Sequence, residues 1–366
     1  MPAKALSEGE QLKVEDLIVR FYTYEGIVKA VERANLRLRK GETLGVVGET
    51  GSGKSVTALT IMALTPTPGK VEGGHVYFRR ASDEIVDILT LKESGLLKIR
   101  GKEISMIFQE PNAALDPLYK VGDQIAEAIL THRLPEMLEK VSRLEEKETN
   151  GVRAFLKKLP FFKDSIKKKM LNKVVREEIV ELLRLMEIPD PERVVDAYPH
   201  ELSGGMQQRI VIAIALACSP TLLLADEPTT NLDVTVQAQI LDLIMRLKKK
   251  LGTSVIYITH DMGVIAEISD RVAVMYAGSV VEVAPTMEIF KNPLHPYTQA
   301  LLNSIPRPGS TFKAIPGSVP NLVNPPTGCR FHPRCAYATE RCSRETPELT
   351  EVSKEHFVAC FPHGGA

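Results

Sequence analysis

Thr43-Leu44-Gly45-Val46-Val47-Gly48-Glu49-Thr50-Gly51-Ser52-Gly53-Lys54-Ser55 decides the fold. The first five residues read as a buried strand, and Val56 to Ala63 continue beyond the glycines with helical spacing. Strand, glycine loop and helix form the setting in which G-x-x-x-x-G-K-[ST] becomes a phosphate cradle. Gly51 and Gly53 let the backbone fold round a β-phosphate, Lys54 neutralises the β/γ oxygens, and Ser55 offers a hydroxyl to Mg²⁺. A chance glycine-rich turn is the bland alternative, and the flanking strand and helix weigh against it.

Working outward, Ile104 to Phe108, Leu222 to Ala225 and Ser254 to Ile258 are further continuous apolar runs, as expected of parallel strands covered on both faces. Each ends on a polar residue with chemistry to offer. Asp226 suits Mg²⁺, a hard cation that prefers oxygen ligands, and Glu227 beside it can polarise an attacking water. His260 is placed for a γ-phosphate contact, and Gln109 reads as an uncharged reader of water or Mg²⁺. Any of these alone is weak, because acidic strand ends and structural histidines are common. Together they gain weight, since ligands in such sheets gather at the carboxyl ends of the strands.

Leu202-Ser203-Gly204-Gly205-Met206-Gln207-Gln208-Arg209 lies between the loop and the acidic strand end. A serine and two glycines at a helix start expose backbone N–H groups to an anion, which makes a second phosphate-reading surface. Two such surfaces in one chain suggest a nucleotide held between two subunits.

The outer bounds are ordinary. At 366 residues the chain fits one large domain plus an appendage, and its 44% hydrophobic and 25% charged fractions suit a globular protein with a sizeable core. Lys+Arg and Asp+Glu balance at 46 each, so bulk charge predicts neither nucleic acid nor an anionic membrane as partner. Met1 to Gln11 is polar and lacks the apolar core of a signal peptide. The densest apolar run, Ile210 to Ala217, is too short to span a bilayer, so any membrane role is expected to be peripheral. Leu118 to Ile188 has helical spacing with charged faces. Arg271 to Tyr276 and Ser279 to Val283 read as a hairpin around Ala277-Gly278. The runs Leu12 to Phe21 and Val28 to Leu38 are strand-like.

Composition shifts after Val283. Twelve of the 24 prolines fall between Pro285 and Pro362, which reads as a loop-rich appendage and not as more sheet. Cys218 sits in an apolar run and is expected to be a small buried core residue. The other cysteines, Cys329, Cys335, Cys342 and Cys360, have the spacing C-x5-C-x6-C-x17-C. Four thiolates satisfy either a tetrahedral Zn²⁺ or a [4Fe–4S] cluster, and the absence of C-x2-C pairs argues mildly against a zinc ribbon. His332 and His363 are alternative ligands, more simply read as surface residues.

The ordered set Gly48–Ser55, Gln109, Leu202–Arg209, Leu222–Glu227, Asp233 and His260 resembles the nucleotide-binding subunit of an ABC transporter over about the first 285 residues. The resemblance implies an α/β P-loop NTPase core with an antiparallel β subdomain and an inserted helical subdomain at about 116–205. It places ATP on Gly48, Glu49, Thr50, Gly51, Ser52, Gly53, Lys54, Ser55 and Val56. Ser203, Gly204, Gly205 and Asp233 would close over that ATP from a second subunit in a head-to-tail dimer. It also implies Glu227 as general base, His260 at the γ-phosphate, and Gln109 as the nucleotide sensor facing a membrane partner. An aromatic stacks on adenine in this family, with Tyr24 the first choice and Tyr22 the second.

The finer resemblance is to ATPase subunits of oligopeptide/dipeptide importers. It rests on Met206, on Asp226-Glu227-Pro228-Thr229-Thr230 continuing to Asp233-Val234-Thr235-Val236-Gln237, and on Asn292-Pro293-Leu294-His295-Pro296-Tyr297 followed by the cysteine tail. Asn231 departs from the small residue expected there. This resemblance implies a 286–366 extension, favours the cluster over zinc, and implies two transmembrane permease subunits, a sister or identical ATPase subunit and an external solute-binding protein. The expected location is the cytoplasmic face of the cell membrane.

Other cargoes, such as oligosaccharides, metal chelates or opines, use similar ATPases. A soluble ABC ATPase acting on DNA would carry a long coiled coil between loop and signature, and one acting on ribosomes usually carries two motif sets; neither is present, so no nucleic-acid partner is expected. Gly151 to Arg176 holds nine Lys/Arg against Asp164 alone, in a segment, Pro135 to about Lys173, longer than the family leads one to expect. A solvated helix face is the favoured reading, with a lipid or permease contact as the alternative.

Overall fold

Apolar runs become strands where both faces of a sheet are covered, and Thr43–Val47 does so with every side chain buried. The computed structural model describes residues 6–109, 114–147, 160–230, 232–305 and 315–363. Two units divide the chain: Met1–Arg100, Thr221–Glu227 and Met245–Ala366 form the first, and Gly101–Pro220 with Pro228–Ile244 the second.

The first unit holds two sheets. One is antiparallel, with β1 (Glu10–Thr23), β2 (Gly26–Arg39), β4 (Gly69–Arg79) and β5 (Ile85–Asp87) in the order β2-β1-β4-β5. Its inward residues, among them Leu17, Val19, Val31 and Leu38, are fully buried. The second sheet contains β3 (Thr43–Val47), β7 (Leu222–Asp226), β8 (Ser254–Thr259), β9 (Arg271–Tyr276) and β10 (Ser279–Pro285). It is completed by β11 (Thr350–Ser353) and β12 (His356–Val358), in the order β11-β12-β10-β9-β3-β8-β7. β3 runs parallel to β8 and β9, and β7 parallel to β8. The register pairs Val47 with Thr259 and Asp226 with Ile258, so Gly48, Glu227 and His260 leave the sheet at the same end. β9 and β10 form the expected hairpin, with Ala277 and Gly278 both at positive φ (47° and 85°), the turn geometry that matches strand twist.

The tail differs from the sequence expectation. It adds β12 to the sheet on β10, and β11 on β12. The strands are four and three residues long, too short to show alternation, and a buried polar contact seats them. The Glu282 carboxylate accepts N–H donors from Leu294 (2.7 Å) and His295 (3.0 Å), and His356 Nε2 lies 2.7 Å from Glu282 Oε1. Helices Thr286–Lys291 and Pro296–Asn303 precede the cysteine region.

The second unit is mostly helical, with one strand, β6 (Ile104–Ile107). Helices Val121–Lys147 and Pro160–Leu185 pack together, and Ile125, Ile129, Met137, Ile179 and Leu183 on them are buried. Glu178 bridges Arg133 (2.6 Å) and Lys140 (2.5 Å) across them. Residues 148–159 of the basic segment lie outside the described residues, as does Asn231. Lys168 and Lys169 are exposed on the second helix. Helix Gly204–Leu216 buries Ile210, Ile212 and Ala213. Cys218, expected in the core, is only half-buried, because the helix ends at Leu216 and its Sγ turns to the Ala128 carbonyl (3.6 Å). Among the described residues no helix is long and apolar enough to cross a membrane.

Candidate functional site

The shared strand end of the first unit gathers the acidic, basic and imidazole groups. Gly48 has φ 155°, and a Cβ there would lie 2.1 Å from the Met275 carbonyl oxygen, so the backbone passes where only glycine fits. The loop then turns into helix Lys54–Ile61. Lys54 Nζ donates to the Gly48 carbonyl (2.7 Å), the Glu49 carbonyl (3.1 Å) and Ser52 Oγ (3.3 Å). Burial draws the Lys54 pKa down, against the opposing pull of Glu227, Asp226 and Glu49. An anion at this loop would relieve that penalty.

Ser55 Oγ donates to Asp226 Oδ1 at 3.0 Å. Burial, with Glu227 next to it, pushes the Asp226 carboxyl above its ordinary pKa. A buried carboxyl beside a hydroxyl is an all-oxygen donor pair that a hard divalent cation suits. Glu227 adopts φ 46°, an uncommon backbone for a non-glycine residue and a form of strain that collects at functional sites. Its N–H bonds the Ile258 carbonyl (2.9 Å) and its Oε1 lies 3.0 Å from His260 Nδ1. The Glu227 side chain is 14% exposed and that of His260 61%, so the imidazole faces solvent while the carboxyl is sheltered.

Tyr22 and Tyr24 differ in environment. Tyr22 bonds Glu72 through its hydroxyl and carries Lys70 Nζ 5.2 Å from its ring centroid. Tyr24, at the tip of the β1–β2 hairpin, is 98% exposed.

In the second unit Gln109 is exposed just beyond β6. Ser203 caps helix Gly204–Leu216 by accepting the Met206 N–H (3.4 Å). Ser203 and Gly204 are exposed, and among the described residues a Cβ on Gly204 would meet nothing within 4 Å. Asp233 accepts the Val236 N–H at 3.0 Å and so caps the helix Val234–Leu251.

The four tail cysteines line one small cavity together with His295 and Phe331. No disulfide joins them. Burial raises the thiol pKa of Cys329 and Cys335, and Cys342 nearby adds to it in both. Among the described residues, however, no three His, Cys, Asp or Glu side chains gather closely enough to ligate a metal ion. The metal expectation for the tail therefore has its donors on one cavity but no assembled ligand set. His332 Nδ1 instead contacts the Cys329 carbonyl oxygen (2.9 Å), and the His363 side chain lies outside the described ones.

Three site residues escaped the sequence reading. Tyr297 Oη accepts the Glu49 N–H at 2.8 Å, and Arg334 makes a two-pronged pair with the Glu49 carboxylate at 2.8 and 3.2 Å. Tyr276 packs between them. Separations of 248 and 285 residues left no local signal for either contact.

A strand, a glycine loop folded round a lysine, and acidic and imidazole groups at neighbouring strand ends define a phosphate-loop nucleotide-binding protein. Residues 31–230 match the family model described as ABC transporter, and residues 281–342 match that described as oligopeptide/dipeptide transporter, C-terminal region. The chain belongs to the ABC transporter ATP-binding family. It is 47% identical to the oligopeptide transport ATP-binding protein OppD of Bacillus subtilis, over 95% of this chain and 87% of that one. It is 44% identical to the dipeptide transport ATP-binding protein DppD of the same organism, over 96% and 94%. Among solved structures, the dimeric bacterial ABC transporter cassette MJ0796 is similar with a TM-score of 0.56 and 26% identity, over 75% of this chain and 98% of that one. The same cassette in a post-hydrolysis state with ADP and Pi gives 0.55.

Proposed function

We infer that this chain is the ATP-hydrolysing subunit of a peptide importer, driving a separate membrane permease as a head-to-tail dimer. The observation that carries the reading is the pairing, in one chain, of a phosphate-loop site with the oligopeptide/dipeptide transporter C-terminal region. In this reading residues 1–285 form the nucleotide-binding domain and 286–366 the importer-type extension.

Gly48 to Val56 cradle the phosphates, and Lys54 swings from the loop carbonyls onto the β/γ oxygens. Tyr24 stacks on adenine, since Tyr22 is already engaged by Glu72 and Lys70. Glu227 accepts the proton of the attacking water, and His260 beside it touches the γ-phosphate. Catalysis is positioning and charge stabilisation of a phosphoryl group in flight. Mg²⁺ would sit on Ser55 and Asp226, with Gln109 as its sensor, and supply charge neutralisation to the transferring phosphoryl group. Ser203, Gly204 and Gly205 close over the ATP of the partner subunit, with Asp233 at the seam; the open space round Gly204 supports this, because among the described residues no neighbour calls for a glycine there.

The partners in this reading are two transmembrane permease subunits, a sister or identical ATPase subunit, and an external solute-binding protein acting through the permease. The chain is then peripheral on the cytoplasmic face and binds no nucleic acid. In the tail, a [4Fe–4S] cluster held by Cys329, Cys335, Cys342 and Cys360 is preferred to zinc. The preference rests on the resemblance to importer subunits whose tails hold a cluster and on the absence of C-x2-C pairs from the spacing C-x5-C-x6-C-x17-C. Such a group would staple a segment with little core of its own. Anaerobic protein that is brown and absorbs near 400 nm supports the cluster, and colourless zinc-containing protein rejects it.

The test is reconstitution of the chain in vesicles with two transmembrane permease subunits of an oligopeptide/dipeptide importer. ATP-dependent uptake of labelled di- or oligopeptide is expected. Uptake of an oligosaccharide or metal chelate in its place would overturn the cargo, and co-purification with ribosomes or DNA and no permease would overturn the class.

A further inference from the structure

The phosphate loop is held from outside by the tail. Glu49 is the second residue of that loop, and its main chain is already busy: its carbonyl accepts Lys54 Nζ (3.1 Å) and the Ser52 N–H (3.1 Å). Its N–H goes to Tyr297 Oη, and Tyr297 is fully buried. Its carboxylate takes both prongs of Arg334, whose side chain is only 5% exposed.

Arg334 is itself fixed. Its Nε donates to the Pro316 carbonyl (2.7 Å), a guanidinium nitrogen reaches Tyr276 Oη (3.3 Å), and its Cζ lies 5.7 Å from the Tyr276 ring centroid. Phe331 packs against Tyr276 and Tyr297, with centroids 5.1 and 5.4 Å away. Four residues before Arg334, Arg330 donates to the Ala277 carbonyl, and the next residue, Gly278, gives its N–H to the Ser52 carbonyl (2.9 Å). Two tail arginines thus bear on opposite parts of one loop.

We propose that Arg334, with Tyr297, is a positioning residue of the ATP site, clamping Glu49 so that the phosphate loop is preformed before nucleotide arrives. It acts through Glu49 and touches no phosphate. A preformed loop avoids the ordering cost of binding, so its loss appears in nucleotide affinity and leaves the chemical step alone. The Arg334 fork matches the carboxylate in two places, which a lysine point charge cannot reproduce. The proposal rests on the reading of Gly48–Val56 as the ATP loop, and the test separates the two.

MgATP binding to the full-length chain is measured by calorimetric titration, and basal ATPase at saturating ATP, for wild type, Arg334→Ala, Glu49→Ala, the double variant and Arg334→Lys. The single alanine variants are expected to bind about tenfold more weakly, equivalent to ~1.4 kcal/mol, and Arg334→Ala, which lies outside the loop, to keep kcat within about twofold of wild type. The double variant should bind no more weakly than either single, because the two share one contact. Arg334→Lys should recover only part of the affinity. Glu49→Ala leaves the tail sequence untouched, so it carries the test if Arg334→Ala fails to fold. Unchanged affinity in Glu49→Ala, or losses that multiply in the double variant, would overturn the clamp while wild-type binding still upheld the ATP site. A wild type that bound no MgATP would overturn both.

Discussion

Glu282→Ala should release the tail from the sheet before the core unfolds. Glu282 has no exposed surface, and its two oxygens serve the N–H groups of Leu294 and His295 and the ring nitrogen of His356. Truncation leaves three polar groups that cannot all reach water while the tail stays docked. Each orphaned buried group costs ~1–3 kcal/mol, and three are orphaned at once. The tail hairpin meets the rest of its sheet through a short ladder, Glu282 with Val358 and Val283 with Phe357, so it has little local stability to lose. A loss of ~4 kcal/mol therefore opens it locally and speeds its amide exchange about a thousandfold. Hydrogen exchange resolved to residues 350–360 reads this, with the Val358 and Ala359 amides as reporters. Glu282→Gln, which keeps an acceptor, should show a much smaller effect. Exchange at Val358 and Ala359 equal to wild type in Glu282→Ala would refute the reasoning.

Asp226→Asn removes a buried carboxyl whose pKa burial has raised. A raised carboxyl favours the fold below its unfolded-state value, and that contribution is lost as pH rises through the folded value. The ion-free variant should therefore melt higher than wild type at pH 7 but lose the stabilisation that MgATP confers; a lower melting temperature without ligand would contradict this. Gly204→Ala meets open space at a helix start, so the Tm of the lone chain should hold or rise slightly while ATP hydrolysis by the assembled transporter falls at least about tenfold. Unchanged hydrolysis would remove Gly204 from the composite site. Tyr24→Ala should raise the Kd for ATP about tenfold, the scale of one base–aromatic stack, and Tyr22→Ala should not. The reverse order would exchange the two tyrosines.

The core of the fold was legible because its signals are local and dense. Strands such as Leu222–Asp226 and Ser254–Thr259 are buried at every position, so they read as unbroken apolar runs. Ala277-Gly278 marks its own turn, since the strands on either side are apolar and a glycine takes the second positive φ. The strand ends bring Lys54, Asp226, Glu227 and His260 together because one parallel register aligns them. The tail was harder. Glu282 reads as a surface residue in any local window, and the groups that make its burial sensible lie 12, 13 and 74 residues away. Arg334 and Glu49 are likewise ordinary charged residues until the chain folds them together. Long-range polar pairing has no periodicity for a sequence to display.

The central claim is that Glu227 is the base of a composite ATP site completed by a second subunit. Its most direct test is Glu227→Gln in the assembled transporter, with hydrolysis and nucleotide retention measured together. The expected result is hydrolysis reduced by about 10²–10⁴, with ATP held between closed subunits that stay associated through gel filtration. A variant that hydrolysed ATP at the wild-type rate, or that never closed on ATP, would contradict it.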